Sequence, residues 1–146
     1  MKKVILTILT VFWLSLIFFF SSAEADDSQD ASDSFIDNTI VNICKFFKSD
    51  LNYEEEKEII KVTSYPVRKI AHFTEYLILG ILVFLTFKEY QISYFAYMAF
   101  IFCVFYACSD EIHQYFVLGR SMSLFDCMID SLGSLTSISF LGFKRR

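Results

Sequence analysis

VILTILTVFWLSLIFFF (Val4–Phe20) is a run of 17 residues without a charged side chain. That length lies at the lower end of the about 17–25 residues that cross a bilayer as a helix. Met1-Lys2-Lys3 precedes the run, and Ala23-Glu24-Ala25 after it loosely imitates a small-x-small cleavage site. A secretory signal has an apolar core of only about 7–15 residues, so a retained helix is expected rather than a cleaved leader. Three further apolar runs follow at Ile70–Phe87, Ile92–Cys108 and Leu124–Phe143. Apolar residues make up 55% of the 146-residue chain, against about 45–50% in soluble domains even with glycine counted. One proline and four glycines are too few for a turn-rich β architecture. The expectation is an all-α membrane protein, a single domain over residues 1–146 with four transmembrane helices.

The polar connection at residues 21–67 interrupts this pattern. It holds eleven Asp or Glu against four Lys, within a net charge of −4. Ser21–Ser34 is acidic and lacks periodicity, which predicts a flexible loop. Phe35, Ile36, Ile40, Ile43, Cys44 and Phe47 recur at helical spacing, and Leu51–Val62 carries a second mixed pattern. Both predict short amphipathic helices in this first extracytoplasmic loop, on the bilayer surface or over the bundle mouth. Tyr65-Pro66 then restarts the chain, with proline in the first turn of the second span.

If four spans alternate, Lys2, Lys3, Lys88 and Lys144-Arg145-Arg146 fall on one side. The positive-inside rule makes that side cytoplasmic, so both termini of a multi-pass plasma-membrane protein are expected there. No basic patch interleaved with aromatics is present, which argues against nucleic acid as a partner. Cys44, Cys103, Cys108 and Cys127 form no CxxC pair; their spacing suggests neither a zinc knuckle nor a disulfide framework, and they read as small apolar residues.

Alternation has a consequence that does not depend on orientation. The start of span two, the end of span three and the start of span four share one membrane face. They carry Arg68, Lys69, His72 and Glu75, then Asp110, Glu111, His113, Gln114 and Arg120, then Asp126 and Asp130. Arg68, His72 and Glu75 fall at i, i+4, i+7 on one stripe, as do Asp126, Asp130 and Gly133, where the glycine admits a close neighbour. A carboxylate at the bilayer centre costs about 2.5–3.5 kcal/mol on insertion scales, so Asp126 and Asp130 are expected to pair with Arg68, Lys69 or Arg120. Such pairs could serve only to stitch helices together. They equally fit a boundary site for an amphiphilic or anionic ligand. Arg68, Lys69 and Arg120 would hold phosphate or carboxylate, with Glu75, Asp110, Gln114, Asp126 and Asp130 completing the wall. His72, Glu111 and His113 would be the proton-transfer candidates. Neither HxxxH nor HExxH occurs, so no metal ligand set is assigned and no cofactor is expected.

Three segments resemble the motifs of VanZ-like proteins. Arg68-Lys69-Ile-Ala-His72-Phe73-Thr-Glu75-Tyr76-Leu-Ile-Leu-Gly80 is similar to K-xx-HF-xx-Y-xx-LG. Asp110-Glu111-Ile-His113-Gln114-Tyr-Phe116-Val-Leu-Gly119-Arg120 is similar to DE-x-hQ-x-F-xPGR, and Asp126 through Gly133 to D-xxx-N/D-xx-G. Phe18-Phe19-Phe20-Ser21-Ser22 resembles the family's opening, while residues 23–60 fall outside the likeness. Leu118 replaces a frequent proline, Asp130 a frequent asparagine and Ser137 a small glycine. The resemblance implies a role in the cell envelope, with a membrane lipid or lipid-linked cell-wall precursor as partner. The family is named for a protein implicated in teicoplanin resistance of Gram-positive bacteria.

Overall fold

The computed structural model describes residues 1–47 and 52–143, so Lys48, Leu51 and the basic C-terminal tripeptide lie outside the described residues. The elements are α1 (Lys2–Ser21), α2 (Ala25–Ile36), a π-helical turn (Asp37–Val41), α3 (Asn42–Phe47), α4 (Tyr53–Glu89), α5 (Phe95–Gln114) and α6 (Leu124–Phe143). α1, α4, α5 and α6 are each long and apolar enough to cross a membrane. Their outward faces leave large apolar side chains exposed, among them Val4, Ile8 and Phe12 on α1, Phe105 on α5 and Phe140 on α6. Apolar surface on that scale would associate in water but is solvated by lipid, where helices also satisfy their own backbone.

α4 is the hub and packs most extensively on α6. Tyr76, Leu79, Val83 and Phe84 of α4 form the core with Ala99, Cys103 and Ala107 of α5, Ile138 of α6 and Ile17 of α1. Two glycines set how closely α4 and α6 approach. A Cβ on Gly133 would run into the Phe73 carbonyl oxygen and lie 3.2 Å from the Leu77 nitrogen. A Cβ on Gly80 would meet Ser137 Oγ and lie 2.9 Å from the Ser134 backbone. Ser137, where the resemblance leads one to expect glycine, therefore packs against a glycine on the opposite helix, which supplies the missing room.

The connection before α4 differs from the sequence expectation in two ways. α4 does not begin at Pro66: it is a 37-residue helix in which Pro66 is internal. The start is set earlier by a capping box, in which the Glu55 N–H donates to Asn52 Oδ1 (2.9 Å) and the Asn52 N–H donates to Glu55 Oε2 (3.0 Å). Glu54, Glu55 and Glu56 also place negative charge at the helix N-terminus. An interior proline costs about 3 kcal/mol. Two residues before it, Ser64 donates to Asp33 of α2, and nearer the N-terminus Lys45 pairs with Glu56 at 3.0 Å. At 1.5 Å per residue α4 is about 55 Å long, so its N-terminal part extends beyond a hydrocarbon core of about 30 Å.

The second difference is α2, which occupies the segment expected to be a flexible loop. Asp26 and Asp27 lie in its first turn, where the helix dipole favours them. Gln29, Asp33 and Ile36 fall at i, i+4, i+7. Gln29 and Asp33 accept hydrogen bonds from Arg68 and Ser64 of α4, and Ile36 is fully buried. Ser- and Asp-rich sequence has weak intrinsic helix preference, so this docking on α4 is what tertiary structure adds.

Candidate functional site

α4 presents its ionisable residues on two stripes. Arg68, His72 and Glu75 face a cavity of about 470 Å³ between α1, α2 and α4. Lys69, the neighbouring position, is turned toward α6 instead. There it pairs with Asp126 and lies 4.8 Å above the Tyr65 ring.

Asp110 and Arg120 reach the same cavity from the end of α5 and the loop that follows it. α5 extends to Gln114, beyond the expected end of the apolar run, so Asp110, Glu111, His113 and Gln114 are helical rather than part of a connector. After α5 the chain turns at Gly119, whose φ of 74° is the left-handed conformation that glycine adopts without penalty. The Arg120 N–H donates to the Val117 carbonyl (3.1 Å) and closes the turn. This turn forms with Leu118 in place of a proline. The Asp126 N–H donates to Ser123 Oγ at 3.3 Å, so the serine caps the first turn of α6. Glu111 accepts the Ser123 N–H at 2.7 Å and ties α5 to that cap.

The rest of the cavity is mostly apolar, with Ile17 and Phe20 from α1, Phe35 from α2 and Ile70 from α4. Arg68, His72 and Glu75 line it from α4, Asp110 and Arg120 from the end of α5 and its loop, and a third carboxylate, Asp27, from α2. Burial, and after it the Arg68 guanidinium, push the pKa of Arg120 below the usual arginine value, against the opposite pull of Asp110, Glu111 and Glu75. Arginine starts so high that Arg120 remains a cation.

Asp130 is fully buried, and neither of its carboxyl oxygens has a hydrogen-bond partner among the described residues. The pairing expected with an arginine or lysine is not made. His72 approaches instead, with Nδ1 3.7 Å from Asp130 Oδ1, too long for a hydrogen bond. His72 Nδ1, Tyr76 Oη, Glu111 Oε1 and Arg120 Nε are also buried without a partner. Unpaired buried polar groups are rare, and each costs about 1–3 kcal/mol, so several at one end of a bundle need a reason.

His113 and Gln114 do not line the cavity and contact the end of α1. His113 stacks on Phe18 with ring centres 4.4 Å apart, and its Nε2 lies 3.0 Å from Ser22 Oγ. Gln114 Nε2 donates to Ser21 Oγ (2.8 Å) and to Asp110 Oδ2 (3.1 Å). The expected constellation thus divides. Arg68, His72, Glu75, Asp110 and Arg120 line the cavity, with Asp130 behind His72. Lys69, Glu111, His113, Gln114 and Asp126 hold helices together. Sequence reasoning missed Gln29, which bonds Arg68, and Trp13, whose indole N–H donates to the Glu75 carbonyl (2.9 Å). The stripe shared by Gln29, Asp33 and Ile36 was the available signal for the first. Nothing in the sequence marked the second. Among the described residues no group of three His, Cys, Asp or Glu is arranged as a metal cage.

The segments that meet here are those whose motifs carried the resemblance, and the profile of the VanZ/LLP1 family matches residues 6–145, nearly the whole chain. The chain belongs to the VanZ/LLP1 family. Neither the curated proteins nor the solved structures give a match to it. In this VanZ/LLP1 bundle the α4 and α5 motif segments and the end of α1 line the cavity, and the α6 motif packs behind them. α2, which lies outside the motifs, completes the lining.

Proposed function

We propose that the chain binds an amphiphile with an anionic head group, a membrane lipid or a lipid-linked cell-wall precursor, at the extracytoplasmic face of the plasma membrane. The observation that carries this reading is the pairing of two guanidinium groups, Arg68 and Arg120, in the wall of a cavity that is otherwise mostly apolar. Like charges brought together out of water favour an anion between them, and arginine suits phosphate by presenting two parallel N–H groups. Glu75 and Asp110 in the same wall suit a head group that also bears hydroxyl donors. The apolar remainder accepts the chain, and a volume of about 470 Å³ falls within the about 300–1,000 Å³ of small-molecule sites.

His72 is the group best placed to move a proton on such a ligand, because it lines the cavity with Asp130 behind it. The basic flanks Lys2, Lys3 and Lys88 lie at the other ends of the helices, which supports an extracytoplasmic cavity by the positive-inside rule. Altered teicoplanin susceptibility would be the cellular consequence of changing such a ligand. A second function, helix locking, is favoured for the other subset by the Lys69–Asp126 pair and the contacts of His113 and Gln114 with α1.

The test uses the full chain in phosphatidylcholine nanodiscs, titrated with phosphatidylglycerol or a polyprenyl phosphate. Trp13, the single tryptophan, is bonded to the cavity-lining residue Glu75 and serves as the fluorescent reporter. Hydrogen bonds to charged groups contribute about 1.5–3 kcal/mol, so Arg68→Gln with Arg120→Gln should weaken binding at least about tenfold. Unchanged affinity in the double variant, or equal binding of uncharged diacylglycerol, would count against the proposal.

A further inference from the structure

The four cysteines occupy different settings. Cys103 is buried in the core, whereas Cys108 is exposed on α5 and Cys127 is half-buried on α6. The Sγ atoms of Cys108 and Cys127 lie 3.1 Å apart across the α5–α6 interface. One to two turns deeper, Cys103 of α5 lies beside Ser134 of α6. The Cys108 and Cys127 thiols both sit on helices, so no mobile loop is needed to bring them together. Between them run the residues that build the loop side of the site: Asp110, Glu111, Arg120 and Asp126.

We infer that Cys108 and Cys127 are a redox-active dithiol that closes to a disulfide by exchange with a disulfide-bearing partner at this end of the bundle. Cys108, the exposed member, is the entry point: its thiolate attacks one sulfur of the partner disulfide and releases the first partner thiol. The Cys127 thiolate then attacks the Cys108 sulfur of the mixed disulfide and releases the second. The protein dithiol loses two protons and two electrons, and the partner disulfide gains them as two thiols. Closure makes residues 108–127 a covalent ring, which fixes the end of α5, the Gly119 turn and the α6 cap relative to one another. The inference is independent of which ligand the cavity takes.

The experiment uses the full chain in nanodiscs, treated with oxidised glutathione, then blocked with N-ethylmaleimide and digested with trypsin under denaturing conditions. Trypsin cuts after Lys88, Arg120 and Lys144, so the two cysteines fall in peptides 89–120 and 121–144. The expected result is that these peptides are recovered joined and separate on reduction. Cys108→Ser and Cys127→Ser should each abolish the link, while Cys103→Ser and Cys44→Ser should leave it. Recovery of both peptides with alkylated thiols after oxidation would overturn the inference. So would a glutathione adduct on Cys108 that never resolves, or two copies of peptide 89–120 joined to each other.

Discussion

The two ends of the bundle treat buried polar groups in opposite ways. At the end where α1 begins and α4 finishes, the polar groups satisfy one another. Thr10 and Thr86 hydroxyls lie 2.9 Å apart in the interior, Thr7 and Tyr90 hydroxyls 3.2 Å apart, and Lys2 pairs with Glu89 at 3.1 Å. At the other end, Asp130, His72, Tyr76, Glu111 and Arg120 all bury polar atoms with no partner among the described residues. Both ends belong to the same four helices, so the difference does not come from the fold as such. A closed polar network adds to helix packing. An open one forgoes that gain and keeps donors and acceptors for something else, as binding sites commonly do.

Substitutions can break this contrast, and the largest effect is expected at the Lys69–Asp126 pair, which is mostly buried. Lys69→Ala leaves Asp126 without its counter-charge and should destabilise the protein by about 3 kcal/mol, read from thermal unfolding in detergent. Adding Asp126→Ala should recover part of that loss. If it does not, the pair is no clamp. Gly133→Ala comes next, at about 1–3 kcal/mol, because the new methyl must push the Phe73 carbonyl away and separate α4 from α6. It should lower the melting temperature and weaken ligand binding together, since it disturbs both ends.

Thr86→Val sharpens the comparison from the closed end. It removes the bond to Thr10, whose hydroxyl still donates to the Leu6 carbonyl at 2.8 Å. A loss of about 1 kcal/mol is expected, with phosphatidylglycerol affinity unchanged. Asp130→Asn probes the open end and should have the smallest effect on stability, because asparagine is nearly isosteric and no bond made by the carboxyl is lost. Ligand binding should nevertheless fall, since His72 loses the carboxyl behind it. A large drop in melting temperature with normal ligand affinity would reverse the roles assigned to the two ends.

Much of this architecture is legible in the amino-acid sequence. The apolar runs mark the helices because a span must bury about 20 residues in hydrocarbon. Alternation alone places His72, Asp110, Arg120 and Asp126 at one face. The features that are not legible have identifiable causes. The start of α4 escapes a sequence reading because proline is a strong local signal for a helix start, and the Asn52–Glu55 capping box outweighs it. α2 escapes it because its serines and aspartates have little helix preference, and its order comes from Arg68 and Ser64 on another helix.

The sequence by itself determined the membrane architecture and the set of ionisable residues gathered at one face, since both follow from the period of a helix and the thickness of a bilayer. Only the tertiary structure decided how that set divides: Arg68 into the cavity but Lys69 onto α6, His72 beside Asp130 but His113 onto Phe18, and Cys108 against Cys127. Those outcomes depend on how each helix is rotated about its own axis. For α4 and α6 that rotation is set by close packing at Gly80 and Gly133, a property of pairs of helices that neither sequence segment contains alone.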